Sequence, residues 1–133
     1  MEFPDELKYS KEHVWIRLEG RRAVIGLTDF AQHELGPVSG VDLPDVGDEL
    51  EQDDSFGSVE ARKTVAELYA PIGGQVVEIN EELKDAPELI NDDPYDSGWL
   101  VVVEMSDPEE LNSLLSAEDY TETTSDGEPE GEE

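Results

Sequence analysis

The sequence predicts a mainly β fold, a small barrel or sandwich, and three observations carry that expectation. Apolar residues alternate over short segments, Gly and Pro punctuate those segments throughout, and only brief stretches show helical spacing. The long alternation of strand and helix expected of an α/β fold is missing. With 133 residues, 36% of them hydrophobic, the chain suits one domain around one core.

Residues 13–18 read as the first strand, with Val14, Ile16 and Leu18 on one face and Trp15 on the other. A Glu19-Gly20-Arg21 turn leads into a second strand at 23–27. Thr28 or Asp29 can cap a short helix through Phe30, Ala31 and Leu35, closed by Gly36-Pro37. Residues 38–43 form another strand, ended by Pro44-Asp45-Val46-Gly47. Strands at 56–59 and 65–69 flank the turn region Glu60-Ala61-Arg62-Lys63, a candidate hairpin with Lys63 at its apex. Pro71-Ile72-Gly73-Gly74 precedes a strand at 75–79, and 99–105 closes the series. Ser106-Asp107-Pro108 then suits a helix start, and Leu111, Leu114 and Leu115 carry the helix to Tyr120. Nothing beyond Tyr120 is apolar, so the domain is expected at 1–120 and an acidic disordered tail at 121–133.

Charge narrows the function. Asp and Glu number 36 against 8 Lys and Arg, a formal net charge of −28. Nucleic acid and anionic membranes attract the opposite sign, so neither is an expected partner. No apolar run approaches the length of a membrane span, and the acidic start is unlike a signal or transit peptide. A cytoplasmic protein is the expectation. The apolar patterning argues for a folded chain, and a folded chain of this charge points to a halophilic prokaryote.

Catalytic chemistry finds little to work with. Cysteine is absent, which excludes thiolate metal sites and cysteine nucleophiles. His13 and His33, the two histidines, have no triad-like neighbours, and Gly73-Gly74 lacks the spacing of a phosphate-binding loop. Carboxylates are too plentiful for any pair to single itself out as an acid–base dyad. Lysine is scarce, with four in the chain: Lys8, Lys11, Lys63 and Lys84. A hairpin tip gives a side chain exposure and a rigid base, which is what a covalent tether requires.

The run Gly57-Ser58-Val59-Glu60-Ala61-Arg62-Lys63-Thr64, followed by Leu68-Tyr69-Ala70-Pro71-Ile72-Gly73-Gly74, resembles the lipoyl-attachment region of glycine cleavage H proteins. Ordered blocks extend the resemblance over about residues 6–120: Tyr9-Ser10-Lys11-Glu12-His13-Val14-Trp15, Ile25-Gly26-Leu27-Thr28-Asp29-Phe30, Val41-Asp42-Leu43-Pro44, and Pro94-Tyr95-Asp96-Ser97-Gly98-Trp99. Arg62 departs from the small apolar residue common beside the lysine, and Ser39-Gly40 from a bulkier pair.

The resemblance implies a hybrid barrel-sandwich of the lipoyl/biotinyl type with short helices and a C-terminal helix. It implies lipoate in amide linkage to Lys63, with Glu60 recognised by the lipoylating enzyme. The chain would be a non-catalytic carrier in glycine catabolism and one-carbon metabolism, holding no metal. Its partners would be the glycine decarboxylase (P protein), the aminomethyltransferase (T protein) and dihydrolipoyl dehydrogenase (L protein). A surface cleft would shelter the loaded arm, expected near residues 12–15 and 29–35, with Glu12 and His33 contributing. The lipoyl domain of a 2-oxoacid dehydrogenase and a biotin carrier are rivals, but both are shorter and lack the Gly98-Trp99 block. An H-like lipoate donor and a non-lipoylated binding module share the same fold.

At molar salt the Debye length falls to about 3 Å, which screens repulsion among surface carboxylates. Thermal unfolding should therefore move to markedly higher temperature between low and multimolar KCl; equal stability in both would overturn the halophilic expectation.

Overall fold

The computed structural model describes Pro4 and residues 6–61 and 64–127. It is mainly β, with two antiparallel sheets packed as a sandwich and short helices at the joins. The strands are β1 Lys8–Tyr9, β2 Val14–Glu19, β3 Arg22–Leu27, β4 Val38–Asp42, β5 Glu49–Leu50, β6 Ser55–Ala61, β7 Val65–Tyr69, β8 Gly74–Ile79 and β9 Val101–Met105. One sheet runs β1-β2-β3-β9-β8-β5, and the other β4-β6-β7. The sheets do not close into a barrel. The helices are α1 Asp29–Leu35, α2 Glu82–Asp85, α3 Leu89–Asp92 and α4 Ala117–Gly127, with a 3₁₀ helix at Pro108–Ser113.

Alternation in the sequence becomes two buried layers. Val14 and Ile16 of β2, Ala23, Ile25 and Leu27 of β3, and Val101, Val103 and Met105 of β9 face the other sheet. There they meet Val38, Phe56, Val59 and Leu68. The intervening residues Trp15, Val24 and Val102 face outward, yet they are buried too. They pack with Tyr9, Ala117 and Tyr120, with Tyr95 and Trp99 partly buried against them. Leu18, expected on the inner face, is 41% exposed because β2 runs past the core into its turn. In β8 the pairing with β9 slips between Val76 and Glu78, making Val77 the additional residue. That bulge lets Val76 and Ile79, three residues apart, both face the main core, with Val77 in the outer layer.

Thr28 is the cap of α1: its Oγ1 accepts from Ala31 N at 3.1 Å, and Gly36 closes the helix at φ 77°. Buried Asn80 ties 80–99 together, its amide donating to Ser97 O at 2.9 Å and Trp99 O at 2.8 Å. Asn91 joins α3 to α1 and β4: it accepts from Val38 N at 2.8 Å and donates to Gly36 O at 2.8 Å.

The helix expected over 108–120 is divided. The 3₁₀ turn ends at Leu114, and Leu115 pairs with Tyr9 as an isolated bridge, N to O at 2.8 Å and 2.7 Å in the two directions. This covers the outer edge of β1. α4 then starts afresh and continues past Tyr120 to Gly127, into the segment read as tail. Buried Ala117 and Tyr120 anchor its first turn, and Glu118 and Asp119 there suit the helix dipole. Residues 128–133 of the expected tail lie outside the described residues.

Trp15 lies directly across from Gly26 in the β2–β3 ladder. A Cβ at position 26 would come within 2.5–2.7 Å of three indole atoms. Gly26→Ala should therefore cost about 1–3 kcal/mol through overpacking, read by chemical denaturation at high salt. Wild-type stability in that variant would show that the indole has room to move.

Candidate functional site

β6 and β7 form a tight hairpin. Ser58 pairs with Glu67, Val59 with Ala66 and Glu60 with Val65. Ala61 N donates to Thr64 O at 2.8 Å, so β6 reaches further than the expected turn boundary at Glu60. Only Arg62 and Lys63 lie between that closing pair in the chain, and both are outside the described residues. The base of the hairpin is rooted in the core by Val59 and Leu68, which are fully buried. Its distal end leaves the core: Glu60 is exposed and Val65 is 59% exposed.

Glu60 sits beside the Ser39-Gly40 departure noted in the sequence. Gly40 is its partner in the β4–β6 ladder, and a Cβ there would meet Glu60 Oε1 at 3.4 Å. Ser39 Oγ donates to Glu60 O at 3.2 Å. The small pair thus leaves the carboxylate lying over β4, a contact that local sequence pattern did not reveal.

Beyond the other end of β7, Tyr69, Ala70 and Pro71 border a cleft of about 330 Å³. Residues 10–12, Ser113-Leu114, Gln52 and Asp53 complete its lining. Gln52 holds one wall, its Nε2 donating to Pro71 O at 3.1 Å and Ser113 Oγ at 3.0 Å. Glu12 lines this cleft, whereas the other residues grouped with it in the sequence do not. Val14 and Trp15 are buried in the two core layers, with the indole Nε1 donating to Pro94 O at 2.8 Å. Helix α1 instead borders a separate concavity of about 390 Å³, where Gln32 and His33 face Glu88 and Asp92. The division has a physical cause: Asn91 fastens α1 to α3, away from the β1–β2 turn.

His13 is structural. Its Nδ1 lies 2.7 Å from the Tyr120 hydroxyl, its ring packs on Phe30 at 4.8 Å, and its backbone is left-handed at φ 68°. Burial lowers its pKa, against the opposing charges of Glu12 and Glu34. Burial likewise pushes the Tyr120 phenol well above its ordinary value, so it remains a neutral hydroxyl. His33 is exposed on α1. Among the described residues no group of His, Asp and Glu is placed to hold a metal ion, and no helix is long and apolar enough to cross a membrane.

Known proteins align closely with this geometry. The family described as Glycine cleavage H-protein matches residues 7–127, which include the part of α4 beyond Tyr120. A glycine cleavage system H protein of Halalkalibacterium halodurans is 56% identical over 123 residues, spanning 92% of this chain and 96% of the relative. One from Brevibacillus brevis is 58% identical over 120 residues, 90% of this chain and 95% of the relative. The crystal structure of a glycine cleavage system H protein from Mycobacterium marinum superposes with a TM-score of 0.85 at 35% identity, covering 92% of this chain and 99% of that one. Sandwich and projecting hairpin define a swinging-arm carrier domain. The chain belongs to the glycine cleavage H-protein family, the lipoate-bearing carrier of the glycine cleavage system, and its partners are components of that system.

Because folding lowers the His13 pKa, the neutral form favours the folded state. Its contribution is full above the ordinary value of 6.5 and is lost as pH falls through the lowered value. Wild type should therefore lose stability relative to His13→Asn between pH 7.5 and about 5.5, a range in which carboxylates titrate alike in both. Parallel stability curves would contradict this.

Proposed function

We propose that Lys63 carries lipoate as an amide on its ε-nitrogen, with Glu60 presented to the lipoylating enzyme. The observation that carries this reading is the hairpin register: the backbone closes at Ala61 and Thr64, leaving Arg62 and Lys63 alone at the connection. The surroundings fit such a group. Flanking Glu60 and Val65 stand clear of the core, while Val59 and Leu68 hold the base rigid. Amide formation removes the lysine charge, which eases entry of the arm into partner clefts.

When attached, lipoate supplies a dithiolane that takes up the aminomethyl group at the glycine decarboxylase, yields it to the aminomethyltransferase, and is reoxidised by dihydrolipoyl dehydrogenase. The protein's own part is non-catalytic: it tethers, orients and docks, raising effective concentration at each partner. We place this work in the cytoplasm. Lysine and lipoyl chain together reach on the order of 12–15 Å at ~1.5 Å per bond. Laid along β7, with a rise of about 3.3 Å per residue, an arm of that reach ends level with Glu67 or Leu68. The cleft bounded by Tyr69, Glu12 and Ser113 begins just beyond that point, at the last residue of β7. The walls there exclude bulk water from one side, and Glu12 and Asp53 suit a terminal ammonium.

Peptide mass spectrometry on protein from its native cells should find a single lipoyl adduct on Lys63, absent in Lys63→Arg. Biotin at that position would move the protein to carboxylation chemistry. A bare Lys63 in cells whose other lipoyl proteins are modified would overturn the reading in favour of a binding module.

A further inference from the structure

Both walls of the cleft leave from one pair of residues. Residues 10–12 follow Tyr9 and Ser113-Leu114 precede Leu115, and Tyr9 and Leu115 exchange both backbone hydrogen bonds. The Gln52 amide holds the second wall. The first wall is a turn that ends in an unfavourable conformation: His13 has φ 68°, which crowds a side chain bearing Cβ. Among the described residues Asp53 is the other non-glycine residue with positive φ, at 75°, and it lines the same cleft. Strain of this kind persists only where the surroundings over-determine it.

At His13 the surroundings include α4. Tyr120 is fully buried, and its ring stacks on Tyr9 with centroids 4.8 Å apart and planes within 8°. Its hydroxyl reaches His13 Nδ1 at 2.7 Å and Thr28 Oγ1 at 2.8 Å. Backbone bonds complete the clamp, from His13 N to Ser10 O at 3.1 Å and from Thr28 N to His13 O at 3.2 Å. Ser10 Oγ accepts from Glu12 N at 3.2 Å. Phenylalanine would fill the same volume and keep the stack, so packing alone does not account for the hydroxyl. Thr28 has a second task as the α1 cap, which leaves the His13 turn as the segment most dependent on that bond.

We infer that Tyr120 is a positioning residue for the arm: its hydroxyl, held between His13 and Thr28, fixes residues 10–13 as one wall of the cleft where the arm rests. The C-terminal helix thereby acts on a site to which it contributes no lining residue. This inference rests on the reading of the cleft as the arm's resting place, and its test separates the two.

The first readout needs no cofactor. In unmodified Tyr120→Phe, amide exchange at residues 11–13 should accelerate by about fivefold or more from loss of a buried hydrogen bond, while the β6–β7 hairpin keeps wild-type protection. The second uses the lipoylated chain loaded by the decarboxylase with glycine. Water cleaves the aminomethyl thioether to the free thiol, formaldehyde and ammonia, and ammonia release times the exposure of the arm. Tyr120→Phe should shorten that lifetime about threefold or more, with lipoylation rate unchanged. Ser113→Trp, which fills the cleft from an exposed rim position, tests the cleft alone and should also shorten the lifetime. An unchanged lifetime in Tyr120→Phe beside a shortened one in Ser113→Trp overturns the positioning role alone. Unchanged lifetimes in both overturn the cleft reading and this inference with it. Should Tyr120→Phe fail to fold, His13→Asn takes its place under the same criteria, since Asn accepts the left-handed backbone without the ring.

Discussion

The six-stranded sheet is buried on both faces, and that constraint organises the rest of the molecule. An antiparallel sheet of a small protein commonly keeps one face in water. Here Trp15 occupies the outer face and lies flat over Gly26, where no side chain competes for the space. The indole then needs cover and a hydrogen-bond acceptor. Residues 94–99 supply both, with Pro94 O on the indole nitrogen and the Tyr95 ring 6.1 Å away. Asn80 holds that segment from beneath. The opposite flank of the same outer layer is closed by Tyr9 and Tyr120.

Covering the outer face with loop and helix has a functional consequence. All of the cover falls on the larger sheet, so the three-stranded sheet is free to project its hairpin. Val59 and Leu68 root that hairpin deeply, and beyond them Glu60, Thr64 and Val65 are exposed. A tether on such a base has a fixed origin and a wide sweep, which is what visits to several partners demand. Exposed Val65 and Glu60 set an apolar and an acidic side chain opposite one another near its distal end.

The cleft is the second consequence. It opens where the two sheets and the chain end converge, between the β1–β2 turn, the far end of β7 and the 3₁₀ turn. None of these segments alone forms a concavity. The walls are held apart at a set spacing by polar side chains: Gln52 on one side, and the Tyr120–His13 pair on the other. Buried and paired polar groups of this kind specify one arrangement, because each left without a partner is costly.

The sequence by itself determined a good deal. Period-two alternation at 13–18 marked a strand, because a pleated strand sends neighbouring side chains to opposite faces, and short apolar segments bounded by turn residues marked those at 23–27, 65–69 and 75–79. Thr28 and Gly36-Pro37 marked α1 for an equally local reason, the chemistry of helix ends. Scarcity and ordered flanks singled out Lys63, and Glu60 with it. Tertiary structure alone decided which residues meet from afar. His13 and Tyr120 stand 107 positions apart, and no local period encodes their bond. Asn91, by binding α1 to α3, separated the concavity at His33 from the cleft at Glu12, which the sequence had suggested as one. The outer apolar layer likewise broke the expected helix at Leu115 and carried α4 past Tyr120. Local rules of backbone and pleat are written residue by residue, whereas pairing across the fold is settled only when packing brings distant segments into contact.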